Sequence, residues 1–232
     1  MGTFQAIYEG GIASTLALAA IAFVAAASWF RRRTFVVAYA ALFTMVALAD
    51  AIHSGPWSPL RSLSPAWESG IGMVFVLVGD YRYFLVVERF AARPDIGAMD
   101  ATPRRAWLGS FAWMALVPLV TLAISLARPS ISGRLSYLAY ELLFIALVLV
   151  WRFVRLKKKL APASDDVRKW LFDVTSFELG TYGLWALSDI LILAGIELGY
   201  LLRIVPNVLY YGLFAWFVAF RAPAAVVKEP AS

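Results

Sequence analysis

The chain has 232 residues, of which 62% are hydrophobic, 15% aromatic and 16% charged, with a mean hydropathy of +0.74; soluble domains hold about 25% charged residues, so this balance belongs to a polytopic membrane protein. The absence of cysteine rules out disulfides, thiolate metal sites, iron–sulfur clusters and a cysteine nucleophile, and the single histidine, His53, rules out bis-histidine haem and any zinc site that draws several imidazoles from this chain. The net charge of +6 does not mark a nucleic-acid binder, because the basic residues fall in short loops between apolar runs and read as topology signals.

Residues 1–10 carry only Glu9 as a charge and no basic stretch, so no cleaved signal peptide is expected. A first span runs from about 11 to 30, uncharged, with Ala13, Ala17, Ala22 and Ala26 spaced for close helix contact. Arg31-Arg32-Arg33 ends it. The second span, about 35–53, is polar only at its far end, where Asp50 and His53 share a face at i and i+3. Residues 54–68 hold Pro56, Pro59 and Pro65 with Trp57 and Trp67, a composition that breaks helices and sets rings at a membrane interface.

The third span, about 69–92, contains Gly79-Asp80-Tyr81-Arg82-Tyr83-Phe84. A hydrocarbon core of ~30 Å takes about 20 helical residues, which places Asp80 near the midplane. A carboxylate there costs roughly 2.5–3.5 kcal/mol on insertion scales and is expected to face a bundle interior. Asp80 and Arg82 lie about 160° apart round a helix and cannot pair with each other. Each therefore needs partners on other helices; Asp80 is either a structural partner of Arg203 or another cation, or a proton or ligand group.

The fourth span, about 107–126, is uncharged and carries a mid-helix Pro118 that should kink it; it is the helix expected to face lipid or a protein partner. The fifth, about 135–154, places Glu141 on nearly the same face as Tyr137 and Arg134 and closes in Arg152, Arg155 and Lys157-Lys158-Lys159. On the sixth, about 170–193, Glu178, Tyr182, Trp185 and Asp189 form a polar stripe within roughly 60°, since steps of four, seven and eleven residues nearly close whole turns. On the seventh, about 200–220, Arg203, Asn207 and Tyr211 follow at i, i+4 and i+8 beside Pro206.

The fold class expected is therefore an all-α integral membrane protein, a single seven-helix transmembrane domain over residues 1–232. If the first loop is cytoplasmic, that side collects three arginines in the first loop, four basic residues in the third, seven between Arg152 and Lys169 and two in the tail, sixteen in all. The opposite side collects Arg61, Arg128, Arg134 and Arg203, and Arg82 is intramembrane. By the positive-inside rule the N-terminus is outside and the C-terminus cytoplasmic, in a plasma membrane or bacterial inner membrane.

The intramembrane polar groups define the candidate site: Asp80, Arg82, Glu141, Glu178, Tyr182, Trp185, Asp189, Arg203 and Asn207. If their faces converge, they suit a proton relay, an ion path or a polar ligand; the bland alternative is structural ion pairing that locks helix packing. Tyr81, Tyr83, Phe84, Tyr182, Trp185, Tyr210 and Tyr211 could wall a pocket for a flat apolar ligand, although aromatic stripes in membrane helices are more often packing. Asp50, His53, Glu197 and Arg203 lie near the outer interface, where helix ends are solvated. No zinc-protease, serine-hydrolase or phosphate-loop motif is present, so enzymatic chemistry is not expected; a lipid-modifying site around Asp50, His53 and the outer-loop serines is the weaker alternative.

Seven spans with the N-terminus outside, together with Trp185-x-x-Ser188-Asp189-x-x-Ile192-Leu193-x-Gly195, resemble microbial rhodopsins and the retinal-pocket run of their sixth helix. The resemblance implies a seven-helix bundle but no covalent retinal, because no lysine lies between Lys169 and Lys228 to form the Schiff base. The matched quartets Ala47-Leu48-Ala49-Asp50 and Ala186-Leu187-Ser188-Asp189 resemble the paired triplets of the sugar-transporting SWEET family, with the fourth helix as inverter. The first functional expectation is a transporter- or channel-like protein handling a proton or small polar ligand. The alternatives are a rhodopsin-like sensor or hydrophobic-ligand-binding protein signalling through a partner, and a structural subunit of a larger membrane complex. The bilayer is the expected partner, a second copy or a membrane or cytoplasmic protein can join it, and nucleic acid is not expected.

Overall fold

A computed structural model describes residues 2–11, 35–54, 58, 65–97 and 100–227. The first apolar span from residue 12 onward, most of the 54–68 loop and the tail from Lys228 lie outside them. Every described element is a helix: α1 (Thr3–Glu9), α2 (Phe35–Ser54), α3 (Pro65–Ala92), α4 (Arg104–Ala127), α5 (Gly133–Val150, continued by a π-helical stretch Trp151–Leu156 and by Lys157–Lys159), α6 (Asp165–Leu193), α7 (Leu198–Asn207, a π-helical stretch Val208–Leu213, and Phe214–Arg221) and α8 (Ala224–Val227). Phe35–His53, Arg104–Ala127, Gly133–Lys159 and Leu198–Arg221 are long and apolar enough to cross a membrane. α3 and α6 are longer, at 28 and 29 residues, but carry charged side chains through their middles.

Local signals explain the ends. Ser132 and Ser164 cap α5 and α6 by accepting from the N–H groups of Leu135 and Val167, and Asp165 and Asp166 complement the dipole in the first turn of α6. α6 stops at Gly195, whose positive φ of 77° lets Ile196 N–H reach Leu191 C=O and Gly195 N–H reach Ile192 C=O, the two bonds of a Schellman turn. That tight reversal lays α7 antiparallel against α6. Pro118 sits inside an unbroken α4, and the proline removes the N–H that would have bonded the Met114 carbonyl.

The long helices close into a ring in the order α2, α3, α4, α5, α6, α7 and back to α2, while α3 also touches α6 across the middle and α1 rests on α7. From Tyr83 to Ala91 every α3 residue is buried, which makes its second half the axis of the bundle. Aromatic contacts hold that axis: Phe84 meets Phe144 of α5 edge-on at 5.9 Å, and Phe144 stacks on Tyr182 of α6 at 4.0 Å. Such pairs contribute about 0.5–1.5 kcal/mol each beyond area burial. α4 is the peripheral helix. Only Ala106, Ser110, Met114 and Val117 are buried on it, while Leu108, Phe111, Leu119, Leu122 and Leu126 are exposed, the apolar outer face expected from its lack of charge.

At the end of the bundle opposite α1, charged side chains are held by specific contacts, although Nε of both Arg89 and Arg155 is left without a partner. Glu88 accepts from Trp113 Nε1 at 2.8 Å and pairs with Arg155 at 3.2 Å; Arg89 reaches across the next loop to Thr102 Oγ1, Gly97 C=O and Asp100 C=O. These bonds fold the α3–α4 loop back on the helix ends.

Candidate functional site

The α1 end of the bundle encloses a cavity of about 480 Å3. α5 contributes Arg134, Tyr137, Tyr140 and Glu141, α6 contributes Tyr182 and Trp185, and α7 contributes Arg203, Asn207, Tyr210 and Tyr211. Tyr8 of α1 and Asp50 of α2 complete its rim. The three faces read from helical spacing on α5, α6 and α7 thus turn towards one space. In α7 the π-helical stretch follows Pro206 and widens the turn at Tyr210 and Tyr211, so that these successive tyrosines both line the cavity.

An ion-pair cluster forms one wall. Arg203 pairs with Asp189 and, at 3.4 Å, with Glu141, while Arg134 pairs with Asp189 at 3.1 Å. The Arg203 Nε donates to the Tyr8 hydroxyl at 3.3 Å, and Asn207 Nδ2 donates to the same hydroxyl at 3.4 Å. Trp185 Nε1 donates to Asn207 Oδ1 at 2.7 Å, tying α6 to α7 at the rim. Arg203 therefore serves two acids and a tyrosine at once. Glu141, 4% exposed, keeps its second oxygen, Oε2, without a hydrogen-bond partner.

Asp80 lies one turn below the cavity lining at Val76 and is wholly buried. Of the two roles open to it from sequence, pairing with Arg203 is not the one seen: its hydrogen-bond partners are tyrosines. The hydroxyls of Tyr182 and Tyr210 donate to Oδ1 and that of Tyr140 donates to Oδ2, so one carboxylate gathers donors from α5, α6 and α7. A carboxylate accepts through as many as four lone-pair sites, which is why it can take all three hydroxyls at once. The three hydroxyls point down to Asp80 while their rings line the space above. Asp80 is thus the anchor of the cavity floor rather than a group in its lumen.

Arg82, expected beside the acids, lies within electrostatic reach of Asp80 and Glu178 but packs its guanidinium against aromatic rings. Its guanidinium sits 4.0 Å from the Tyr210 ring centroid and 4.4 Å from that of Phe214, with Nε and Nη2 unpartnered. Tyr210 therefore joins the two charges of the third helix, hydroxyl to Asp80 and ring face to Arg82. Glu178 lies one turn along α6 from Tyr182, fully buried, with neither carboxylate oxygen hydrogen-bonded.

Of the nine candidate residues, five line the cavity (Glu141, Tyr182, Trp185, Arg203 and Asn207), Asp189 backs it through both arginines, Asp80 fixes its floor, and Arg82 and Glu178 lie deeper. Asp50 and His53 are buried rather than solvated because α3 and α7 pack over that end of α2; Glu197 is exposed. Of the aromatic set, Tyr182, Trp185, Tyr210 and Tyr211 line the cavity, whereas Tyr83 and Phe84 pack in the core and Tyr81 stacks on Trp107. The residues missed by periodicity are Tyr8 and Tyr140. Tyr140 heads the buried stripe Phe144, Leu147 and Trp151, and a tyrosine opening an apolar stripe is a signal that a buried hydroxyl needs an acceptor.

Gly79 is what admits the third tyrosine. A Cβ at this position would land on the Tyr210 hydroxyl. Gly79→Ala is therefore expected to push Tyr210 off Asp80 and to lower stability by about 1–3 kcal/mol, the cost of overpacking a filled site; thermal unfolding in nanodiscs checks it, and an unchanged melting temperature would contradict the packing.

Among the described residues no group of three or more histidine, aspartate and glutamate side chains is arranged to hold a metal ion. No protein-family model, curated protein or solved structure matches the chain. The chemistry of the cavity is thus the ground on which its role is argued.

Proposed function

We propose that the chain is a seven-span membrane protein, N-terminus outside, that binds a small polar ligand in this cavity and handles it in a transporter- or channel-like way. The observation that carries the reading is the cavity itself: about 480 Å3, inside the ~300–1,000 Å3 typical of small-molecule sites, with charged groups, an amide and tyrosines from three helices converging on it. A purely structural ion-pair lock needs no such volume. Transport is favoured over simple binding because buried polar groups recur below the floor, Asp80 and Tyr83 on α3 and Glu178 and Thr175 on α6, with the Tyr83 and Thr175 hydroxyls 3.3 Å apart. Intramembrane ionisable groups arranged in sequence along a bundle mark substrate or proton pathways.

In this reading α3 and α6 are spans as well. Their charged residues at mid-helix, Asp80, Arg82 and Glu178, are all buried within the bundle, which removes the insertion cost that lipid exposure would carry. Asp50 and Asp189, the ends of the two matched quartets, both attend the cavity, one at its rim and one behind its arginines. A two-fold origin for the site accords with that placement.

Two experiments test the proposal. Because the chain has no cysteine, Ser130→Cys and Lys158→Cys report sidedness without background; Ser130→Cys is expected to react with an impermeant thiol reagent from outside intact cells and Lys158→Cys only after permeabilisation, and the reverse pattern would overturn the topology. For binding, a panel of small amines, amino acids, carboxylates and sugars is screened by thermal shift on the wild type and on Asn207→Leu. At least one chemical class should stabilise the wild type and not the variant; a panel with no such class would sink the reading.

A further inference from the structure

Beneath the cavity floor the bundle buries two acids and one cation together: Asp80 and Glu178, both without exposed surface, and Arg82, 3% exposed. The hydroxyl donors around them are all committed. Tyr140, Tyr182 and Tyr210 give their protons to Asp80. Tyr39 of α2 donates to the Arg82 carbonyl at 2.8 Å. Thr175 and Thr181, three residues either side of Glu178 on α6, turn back to the carbonyls of Leu171 and Phe177, so that Tyr83 is the donor in its pair with Thr175. These tyrosines, with Asp80 and Arg82, are the titratable groups that α2, α3, α5, α6 and α7 set within electrostatic reach of Glu178.

Glu178 is left with neither oxygen hydrogen-bonded. Arg82 does not meet it either: the guanidinium rests on the Tyr210 and Phe214 rings, 4.0 and 4.4 Å from their centroids, with Nε and Nη2 unpartnered. Charge balances without Glu178. Asp80, which holds three donors, keeps the negative charge, and Arg82 offsets it. An ionised Glu178 would add a second buried anion with no donor of its own, and an unsolvated carboxylate is far more costly to bury than a neutral carboxyl group.

We infer that Glu178 is a proton-binding site, a neutral carboxylic acid one turn of α6 below the cavity lining at Tyr182. The site names a proton as an ion that the bundle handles, and in that use it rests on the transport reading above; the protonation itself rests on the count of donors and charges.

Infrared spectroscopy of the full chain in nanodiscs at neutral pH tests it. The wild type should show the carbonyl stretching band of a protonated carboxyl group, moved by an isotopic label in the glutamate carboxyl and moved again in D2O as the proton exchanges. The band should be absent from Glu178→Gln and retained in Glu141→Gln, which sets aside the glutamate of the cavity wall. Because one neutral group replaces another, Glu178→Gln should melt within about 3 °C of the wild type, whereas taking an ionised glutamate from Arg82 would cost roughly 6–20 °C. A loss of that size, or a failure to fold, would overturn the inference. So would a wild type without a glutamate band, a band that survives in Glu178→Gln, or one that appears only in Arg82→Met, the mark of Glu178 ionised against Arg82. A band unmoved by D2O would show a sealed proton and overturn the site equally. None of these measurements uses a ligand, so their failure leaves the cavity proposal standing, and a silent ligand panel leaves them intact.

Discussion

Asp80→Asn should lower the stability of the bundle by roughly 3–5 kcal/mol, since hydrogen bonds to a charged acceptor are worth about 1.5–3 kcal/mol each and the amide keeps only one accepting atom. Tyr182 and Tyr210 share Oδ1 and Tyr140 takes Oδ2. Whichever way the asparagine turns, its NH2 faces a hydroxyl that was a donor. That hydroxyl must rotate or lose its partner, and the tyrosine ring moves with it. The cavity floor is built from those rings, so ligand stabilisation should fall in the same variant. Asp80→Glu should not restore either property, because an added methylene moves the carboxylate off the positions where the three hydroxyls now meet it. Melting temperature and ligand-induced shift, measured on one reconstituted sample, report both effects. A variant that kept its stability and its ligand shift would show that the three-tyrosine anchor is not what holds the floor.

The second large effect is expected at Arg203. Arg203→Met leaves Asp189 paired with Arg134 and takes from Glu141 the cation it pairs with among the described residues, both acids lying inside the bundle. Removing one partner of a buried pair costs about 3–5 kcal/mol, because the abandoned charge stays buried. The loss should correspond to roughly 6–20 °C in melting temperature for a chain of this size. Arg203→Lys should recover only part of it, since one ammonium cannot replace an Nε that bonds Tyr8 and an Nη1 that bonds two acids. If the penalty is that of stranded carboxylates, the triple change Arg203→Met, Asp189→Asn, Glu141→Gln should be more stable than Arg203→Met alone. A triple variant less stable than the single one would place the cost in lost packing instead.

Helical spacing carried the site a long way. Arg134, Tyr137 and Glu141, then Tyr182, Trp185 and Asp189, then Arg203, Asn207 and Tyr211 recur at steps that keep them on one face, and each face turns to or backs the cavity. A polar stripe on an apolar helix leaves few other places to go. Pairing between helices was not legible in the same way. Asp80 needed a partner on general grounds, yet nothing in its own neighbourhood distinguishes a cation from three hydroxyls on distant segments; a tyrosine counts as apolar in a periodicity and as a donor only once its depth is known. Arg82 was open to the same ambiguity and ends against aromatic rings. The π-helical stretch beside Pro206 leaves no compositional mark beyond the proline itself. The short helix α1, with Tyr8 reaching Arg203 and Asn207, follows no amphipathic pattern long enough to read. At α3 and α6 the mid-helix charges were the legible signal of packed neighbours, and Asp80, Arg82, Glu178 and Asp189 are all buried within the bundle.

The most direct measurement of the central claim is the sidedness of chemical access to Asn207, a cavity-lining residue on the cysteine-free background. Asn207→Cys in oriented proteoliposomes is treated with a small impermeant thiol reagent from each face, with Ser130→Cys and Lys158→Cys as references for the two sides. The account predicts modification from the Ser130 side alone, slowed when a ligand that stabilises the protein is present. A cysteine that reacts only from the Lys158 side, or from neither, would contradict a ligand cavity open at the α1 end.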